Sequence, residues 1–165
     1  MTRFALLAVC LVGCSVDDGG SSCIAGSSDL CTGDNVCMGT TCAAAFPHDY
    51  AITNISATAP NLKPNGMPWD PDEDGSPDLY VDISVNGAIV KTTDIIMNSY
   101  NATFAGPFMV SLTTGATLDL KSSDSDGATS EPVYDCSIPV TAAVLRVRFV
   151  LCSGTGVTIN YTIDP

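Results

Sequence analysis

Leu79-Tyr80-Val81-Asp82-Ile83-Ser84-Val85 alternates without a break, with Leu79, Val81, Ile83 and Val85 on one side of an extended chain and Tyr80, Asp82 and Ser84 on the other. Successive side chains of a strand point to opposite faces, so this alternation marks a strand with one buried face. The same period recurs downstream. Ala116, Leu118 and Leu120 alternate with Thr117 and Asp119; Leu145, Val147, Phe149 and Leu151 alternate with Arg146 and Arg148. Val157, Ile159, Tyr161 and Ile163 alternate with Thr158, Asn160 and Thr162. Further strands are predicted over residues 52–56, 89–96, 102–104 and 108–112. Asn86-Gly87, Thr114-Gly115 and Ser153-Gly154 supply turns between them. No helical periodicity persists beyond two turns. Short strands separated by turns predict an all-β fold over residues 47–165, an eight-stranded antiparallel β-sandwich.

Upstream of Pro47 the alternation stops and cysteines take over. Cys23, Cys31, Cys37 and Cys42 have no hydrophobic segment between them, so residues 23–46 are expected to be a loop-rich, disulfide-rich spacer. Three pairings among these four are open. A four-cysteine zinc site is the alternative, but the spacing lacks close Cys-x-x-Cys pairs. Cys136 and Cys152 stand apart and are expected to pair, closing a loop of about 17 residues worth about 3 kcal/mol in the chain-entropy account.

The first residues carry an export signal. Arg3 precedes an apolar run over residues 4–13. That run is half of the ~20 residues needed to cross a bilayer, and fits the apolar region of a secretory signal. It ends in Leu11-Val12-Gly13-Cys14, which resembles the lipobox of bacterial lipoproteins. The resemblance implies removal of residues 1–13, lipidation of Cys14 and a stable membrane anchor of two or three acyl chains. Residues 14–22 then form a lipidated, Gly/Ser-rich tether. Ser15 after the cysteine implies, by the same analogy, delivery to the outer membrane of the cell envelope.

Charge narrows the partners. The whole chain carries −12, and without Arg3 the remainder carries about −13. Lys63, Lys91, Lys121, Arg146 and Arg148 are its only fixed cations, too few and too scattered to grip a phosphate backbone. Nucleic acid is therefore not an expected partner, and anionic lipid would need a bridging cation.

Two acidic stretches flank strands: Trp69-Asp-Pro-Asp-Glu-Asp-Gly-Ser-Pro-Asp78 before Leu79, and Asp124-Ser-Asp-Gly-Ala-Thr-Ser-Glu131 after Lys121. Lys121 is the only cation near either in sequence. Hard divalent cations relieve such repulsion, and Ca²⁺ suits irregular cages of oxygen ligands. Solvated turns are the plain alternative, since Asp, Gly, Ser and Pro are turn residues in any case.

Taken together, the stretches resemble a C2 domain over residues 52–138. Ile55-Ser-Ala-Thr-Ala-Pro-Asn-Leu62 resembles that family's opening strand. Asp72, six residues before Asp78-Leu79-Tyr80-Val81, is similar to its first calcium loop, with Leu79 in place of the usual Pro. Lys91-Thr92-Thr93 and Tyr100-Asn101-Ala102-Thr103-Phe104 resemble further family segments. Leu118-x-Leu120 followed by Asp124-x-Asp126 is similar to the third calcium loop, with Glu131 one residue nearer than the family's last Asp. The resemblance implies a C2-like β-sandwich binding Ca²⁺ through Asp72, Asp78, Asp124, Asp126 and Glu131, with Asp78 and Asp124 bridging where two ions bind. It also implies that Met67 and Trp69, beside the first loop, contact a membrane; burial of Trp69 in the core is the alternative. A rival motif, Asp70-x-Asp72-x-Asp74-Gly75, opens like an EF-hand loop, but position 12 would be Val81 and a strand follows, so an EF-hand is excluded. A self-contained calcium turn using Asp70 and Asp74 stays open.

Catalysis finds little support. His48 is the only histidine and is expected at the surface; no nucleophile elbow or phosphate loop occurs. The sequence predicts a non-enzymatic envelope lipoprotein with a Ca²⁺-dependent module engaging membrane, glycan or protein. A structural lipoprotein stabilised by calcium and disulfides, and a carbohydrate-binding sandwich with structural calcium, are the alternatives.

Overall fold

The computed structural model describes residues 23, 31–71 and 75–165. Cys14, the tether, Asp72 and Asp74 lie outside the described residues. In chain order the elements are β1 (Asn35–Met38), β2 (Thr41–Ala44), β3 (His48–Thr58), β4 (Leu79–Val85), β5 (Ala88–Thr92), β6 (Asn101–Phe104), β7 (Phe108–Leu112), β8 (Thr117–Ser125), β9 (Ser130–Pro139), α1 (Ala142–Val147), β10 (Phe149–Gly154) and β11 (Val157–Asp164). No helix among the described residues is long and apolar enough to cross a membrane.

Two antiparallel sheets pack face to face, one in the order β5-β4-β8-β9, the other β10-β11-β3 with β6 and β7 both paired to β3. β7 pairs residues 48–52 of β3 and β6 pairs residues 55–58, so the two lie end to end along one edge. The alternating residues read from the sequence make the core: Leu79, Val81 and Ile83 of β4, Leu118 and Leu120 of β8, and Ile159, Tyr161 and Ile163 of β11 are fully buried. β3 breaks the alternation. Ile52 and Ile55 both face inward because Asn54, at φ 51°, forms a bulge opposite the β11 register shift between Asn160 and Thr162.

Nine strands build the sandwich rather than eight. The addition is β9, whose Pro132 and Pro139 and irregular burial hide it from an alternation test; proline is tolerated there because β9 is an edge strand. β5 is shorter than the expected 89–96 segment and exposed throughout. The expected strand from Leu145 to Leu151 is half helix. Thr141 Oγ1 caps α1 by accepting from the Val144 N–H, and Leu145 turns into the core at 2% exposure. Arg148, at φ 64°, ends the helix. β10 then starts with the opposite phase: Val150 faces in, while Val147, Phe149 and Leu151 stand 65%, 54% and 57% exposed.

The cysteine-rich segment is a small β1–β2 hairpin, not a free spacer. Cys23 bonds Cys37 and Cys31 bonds Cys42, which excludes a zinc site because no thiolate remains. Val36 and Ala45 join the main core, and Tyr50 donates from its hydroxyl to the Ala45 carbonyl at 2.8 Å. Arg146 donates to the Gly33 and Asn35 carbonyls, and Arg148 to the Cys37 carbonyl. Cys136 and Cys152 are disulfide-bonded and join β9 to β10, the edges of the two sheets. The hairpin therefore closes the end of the sandwich where β3 begins. β3 ends, β4 begins and β8 turns into β9 at the opposite end.

Candidate metal centre

Register places the acidic residues before any side chain is considered. Asp124 is paired across β8 to Leu79 of β4 and to Glu131 of β9, so both acidic stretches meet at one end of one sheet. The Asp78 backbone N–H donates to Asp124 Oδ1 at 2.7 Å, and the Ser125 N–H donates to the Asp78 carbonyl at 3.0 Å. Ser122 and Asp124 continue the inward face of Leu118 and Leu120, and Ser123 is buried beside them; Asp124 is completely buried.

The loop that carries Asp70 is folded back onto this end by Trp69. Its indole N–H donates to the Pro60 carbonyl at 2.8 Å, and its ring is 2% exposed. Gly75, at φ 83°, turns the chain so that its N–H donates to the Asp70 carbonyl while its own carbonyl accepts from the Trp69 N–H and the Tyr100 hydroxyl. Oxygens of Asp70, Asp124 and Asp126 are brought within 4.8 Å of one another.

Three carboxylates this close cannot ionise freely. Burial first, then the charges of Asp124, Asp78 and Asp126, push the Asp70 pKa up to about 6. Burial likewise raises the Asp124 pKa, against the pull of the Asp78 N–H. Asp70 Oδ2 and Asp124 Oδ2 are buried with no hydrogen-bond partner. Two orphaned carboxylate oxygens beside a third carboxylate fit a hard divalent cation, which would satisfy both and cancel the repulsion.

The placements differ in part from those implied by the first and third loops. Asp124 and Asp126 share the cluster, and Asp70, the residue of the rival motif, stands with them. Asp78 borders it, its Oδ1 accepting from the Asn98 N–H at 2.7 Å. Glu131 is ion-paired with Lys63. Lys63 also lies 5.5 Å from the Trp69 ring centre, and its pKa is raised, chiefly by the Glu131 hydrogen bond. Lys121, the nearest cation in sequence, lies along the sheet between Asp82 and Asp135 instead. Sequence reasoning missed Lys63 because its partner Glu131 lies 68 residues further along the chain (131 − 63). Met67 is 56% exposed at this end, whereas Trp69 is a core residue and not a loop-tip contact. His48 is exposed at the opposite end.

No known family pattern and no characterised protein sequence matches the chain. Solved structures match in shape. A structure described as that of a C2 domain superposes with a TM-score of 0.52 at 16% identity, over 71% of this chain and 98% of that one. Human GIVD cytosolic phospholipase A2, in complex with methyl gamma-linolenyl fluorophosphonate inhibitor and terbium chloride, gives 0.55 at 11% identity over 70% of this chain and 17% of its own. The calcium-bound tandem C2 domains of Extended-Synaptotagmin 2 give 0.54 at 14% identity over 72% and 45%. The chain thus spans nearly all of the first match and under half of the two longer ones. At these identities the likeness concerns architecture alone, and the sandwich beginning at His48 has the fold of a C2 domain.

Proposed function

We propose that this chain is an exported, non-enzymatic cell-envelope protein, anchored to the outer membrane by lipid on Cys14, whose sandwich is a Ca²⁺-dependent binding module. The orphaned, buried oxygens of Asp70 and Asp124 carry the calcium reading. Asp70, Asp124 and Asp126 would hold the ion, and Asp78 would fix Asp124 in place through its N–H and join the ligands where a second ion binds. The ion supplies positive charge where three carboxylates meet and Lys63 is already engaged by Glu131. With that charge in place, exposed Leu62 and Met67 on the adjoining loop, 51% and 56% accessible, face a membrane, glycan or protein without the surrounding carboxylates repelling it. Calcium bound to one neighbour of the same fold, and terbium present with another, support the assignment.

The test is calorimetric titration of Ca²⁺ into residues 15–165, alongside Asp70→Asn and Asp126→Asn. Saturating heat in the parent chain, lost in both variants, is the expected result. Equal heats in all three, or none in any, would reduce the cluster to solvated turns and the chain to a structural lipoprotein.

A further inference from the structure

Three of the exposed apolar residues gather on one face, away from the acidic end. Val147, Phe149 and Leu151 project outward from α1 and β10, and with Ile138, Ala143 and Val144 they line a groove of about 420 Å³ with almost no polar surface. Single exposed apolar residues are ordinary, whereas a contiguous patch marks a contact surface. β10 is also an edge strand without the lysine or proline that commonly guards such edges.

The position of the patch identifies what covers it. Arg146 and Arg148, the neighbours of Val147, donate to carbonyls of Gly33, Asn35 and Cys37, and Cys37 is bonded to Cys23. The chain thus enters the folded region beside the patch. Residues 15–22 separate Cys23 from Cys14, and even fully extended that segment reaches about 30 Å. A lipid on Cys14 therefore holds Cys23, and with it the closed end of the sandwich, within about 30 Å of the bilayer. The acidic end lies the other way. Ile138 pairs with Leu118, six residues along β8 from Asp124, or about 20 Å of strand. The β10–β11 turn, not Phe149, is the part of this hairpin nearest the acidic loop, where Gly156 approaches Pro60.

We propose that the Val147–Phe149–Leu151 face rests in the bilayer that carries the lipid anchor, so that the cation-binding end points away from that bilayer. This rests on the lipidation reading of Cys14. Apolar side chains at the level of lipid headgroups and acyl chains add a second, weaker attachment to that of the acyl chains. The arrangement holds the sandwich by its closed end and presents the acidic loops to a different surface.

The experiment uses the full, lipidated chain in phosphatidylcholine vesicles with brominated acyl chains, in EDTA, which removes any calcium-dependent contact. Phe149→Trp places a reporter on the face, and Met67→Trp, made separately, marks the exposed acidic end. The emission added by Phe149→Trp should fall by about half or more, while that added by Met67→Trp is unchanged; adding Val147→Asp and Leu151→Asp should abolish the quenching with the chain still anchored. Anchored protein without quenching of the Phe149→Trp reporter overturns the inference, as does quenching of the Met67→Trp reporter alone. So does a dimer in which the face is covered by a second copy. Vesicle flotation unaffected by Cys14→Ser would overturn the lipidation reading, and this inference with it.

Discussion

Asp124→Asn should stabilise the calcium-free protein while abolishing its response to calcium. The substitution keeps an oxygen to accept the Asp78 N–H at 2.7 Å, so the link between β8 and the first acidic loop survives. It removes the one fully buried charge of the cluster. Two unit charges 4.8 Å apart, the limit of the Asp70–Asp124 separation, repel by about 3 kcal/mol at an effective dielectric near 20. Partial screening and protonation of Asp70 lower that figure, and a separation shorter than the limit raises it. For a domain of this size about 1 kcal/mol moves the melting point by roughly 3–4 °C, so the variant should melt up to ~10 °C higher in chelator. Calcium at 1,000 times its dissociation constant stabilises the parent by about 4.1 kcal/mol and the variant hardly at all. The order of melting points should therefore reverse between chelator and calcium, as followed by circular dichroism. A variant that melts below the parent in chelator and responds equally to calcium would refute the reasoning, leaving Asp124 a structural acceptor and no ligand.

Two further outcomes follow from the electrostatics of this end. The folded-state pKa of Asp70, about 6, lies above its ordinary 3.8, so the native chain holds a proton that the unfolded chain has lost across that window. In chelator the melting temperature should fall as pH rises from about 4 to 6, and calcium affinity should strengthen over the same rise because the proton must leave; a flat profile in both would contradict it. Lys63→Gln frees Glu131 from its ion pair, and calorimetry should show calcium affinity rising up to about fivefold, the limit set by ~1 kcal/mol for a partly exposed pair. A fall in affinity would instead make Lys63 a support for the loop.

The strands that could be read from sequence are those with one wet face and one dry face along their whole length. β4 and β11 keep strict alternation because each is paired on both sides and buried on one face. β9 was hidden because an edge strand tolerates Pro132 and Pro139 and needs few buried side chains. Residues 145–151 satisfied the alternation test and misled it. Leu145 enters the core from a helix and Val150 from a strand of the opposite phase, and the reversal at Arg148 depends on contacts with Cys37 and Asp164, far away in sequence. Period-two patterning reports which residues share a face only while the backbone stays extended.

The candidate metal site was legible as two acidic stretches but not as a ligand set, for a related reason. Spacing along one chain can show that Asp124 and Asp126 project near each other; it cannot show what a loop fixed elsewhere contributes. Asp70 reaches the cluster because Trp69 is held in the core and hydrogen-bonds Pro60. Glu131, implied by the resemblance to a C2 domain, is turned to Lys63 from the neighbouring loop. Both facts come from the loop spanning residues 59–78, whose path is set by burial of one indole and the left-handed turn at Gly75 rather than by any period. Trp69 is thus the residue that couples core to site. Its ring packs into the core, and the adjacent Asp70 is carried into the field of Asp124 and Asp126, where its pKa is pushed up to about 6. A cation bound there would be stabilised by packing that lies wholly outside its coordination shell, which is why the acidic motif alone understates the site.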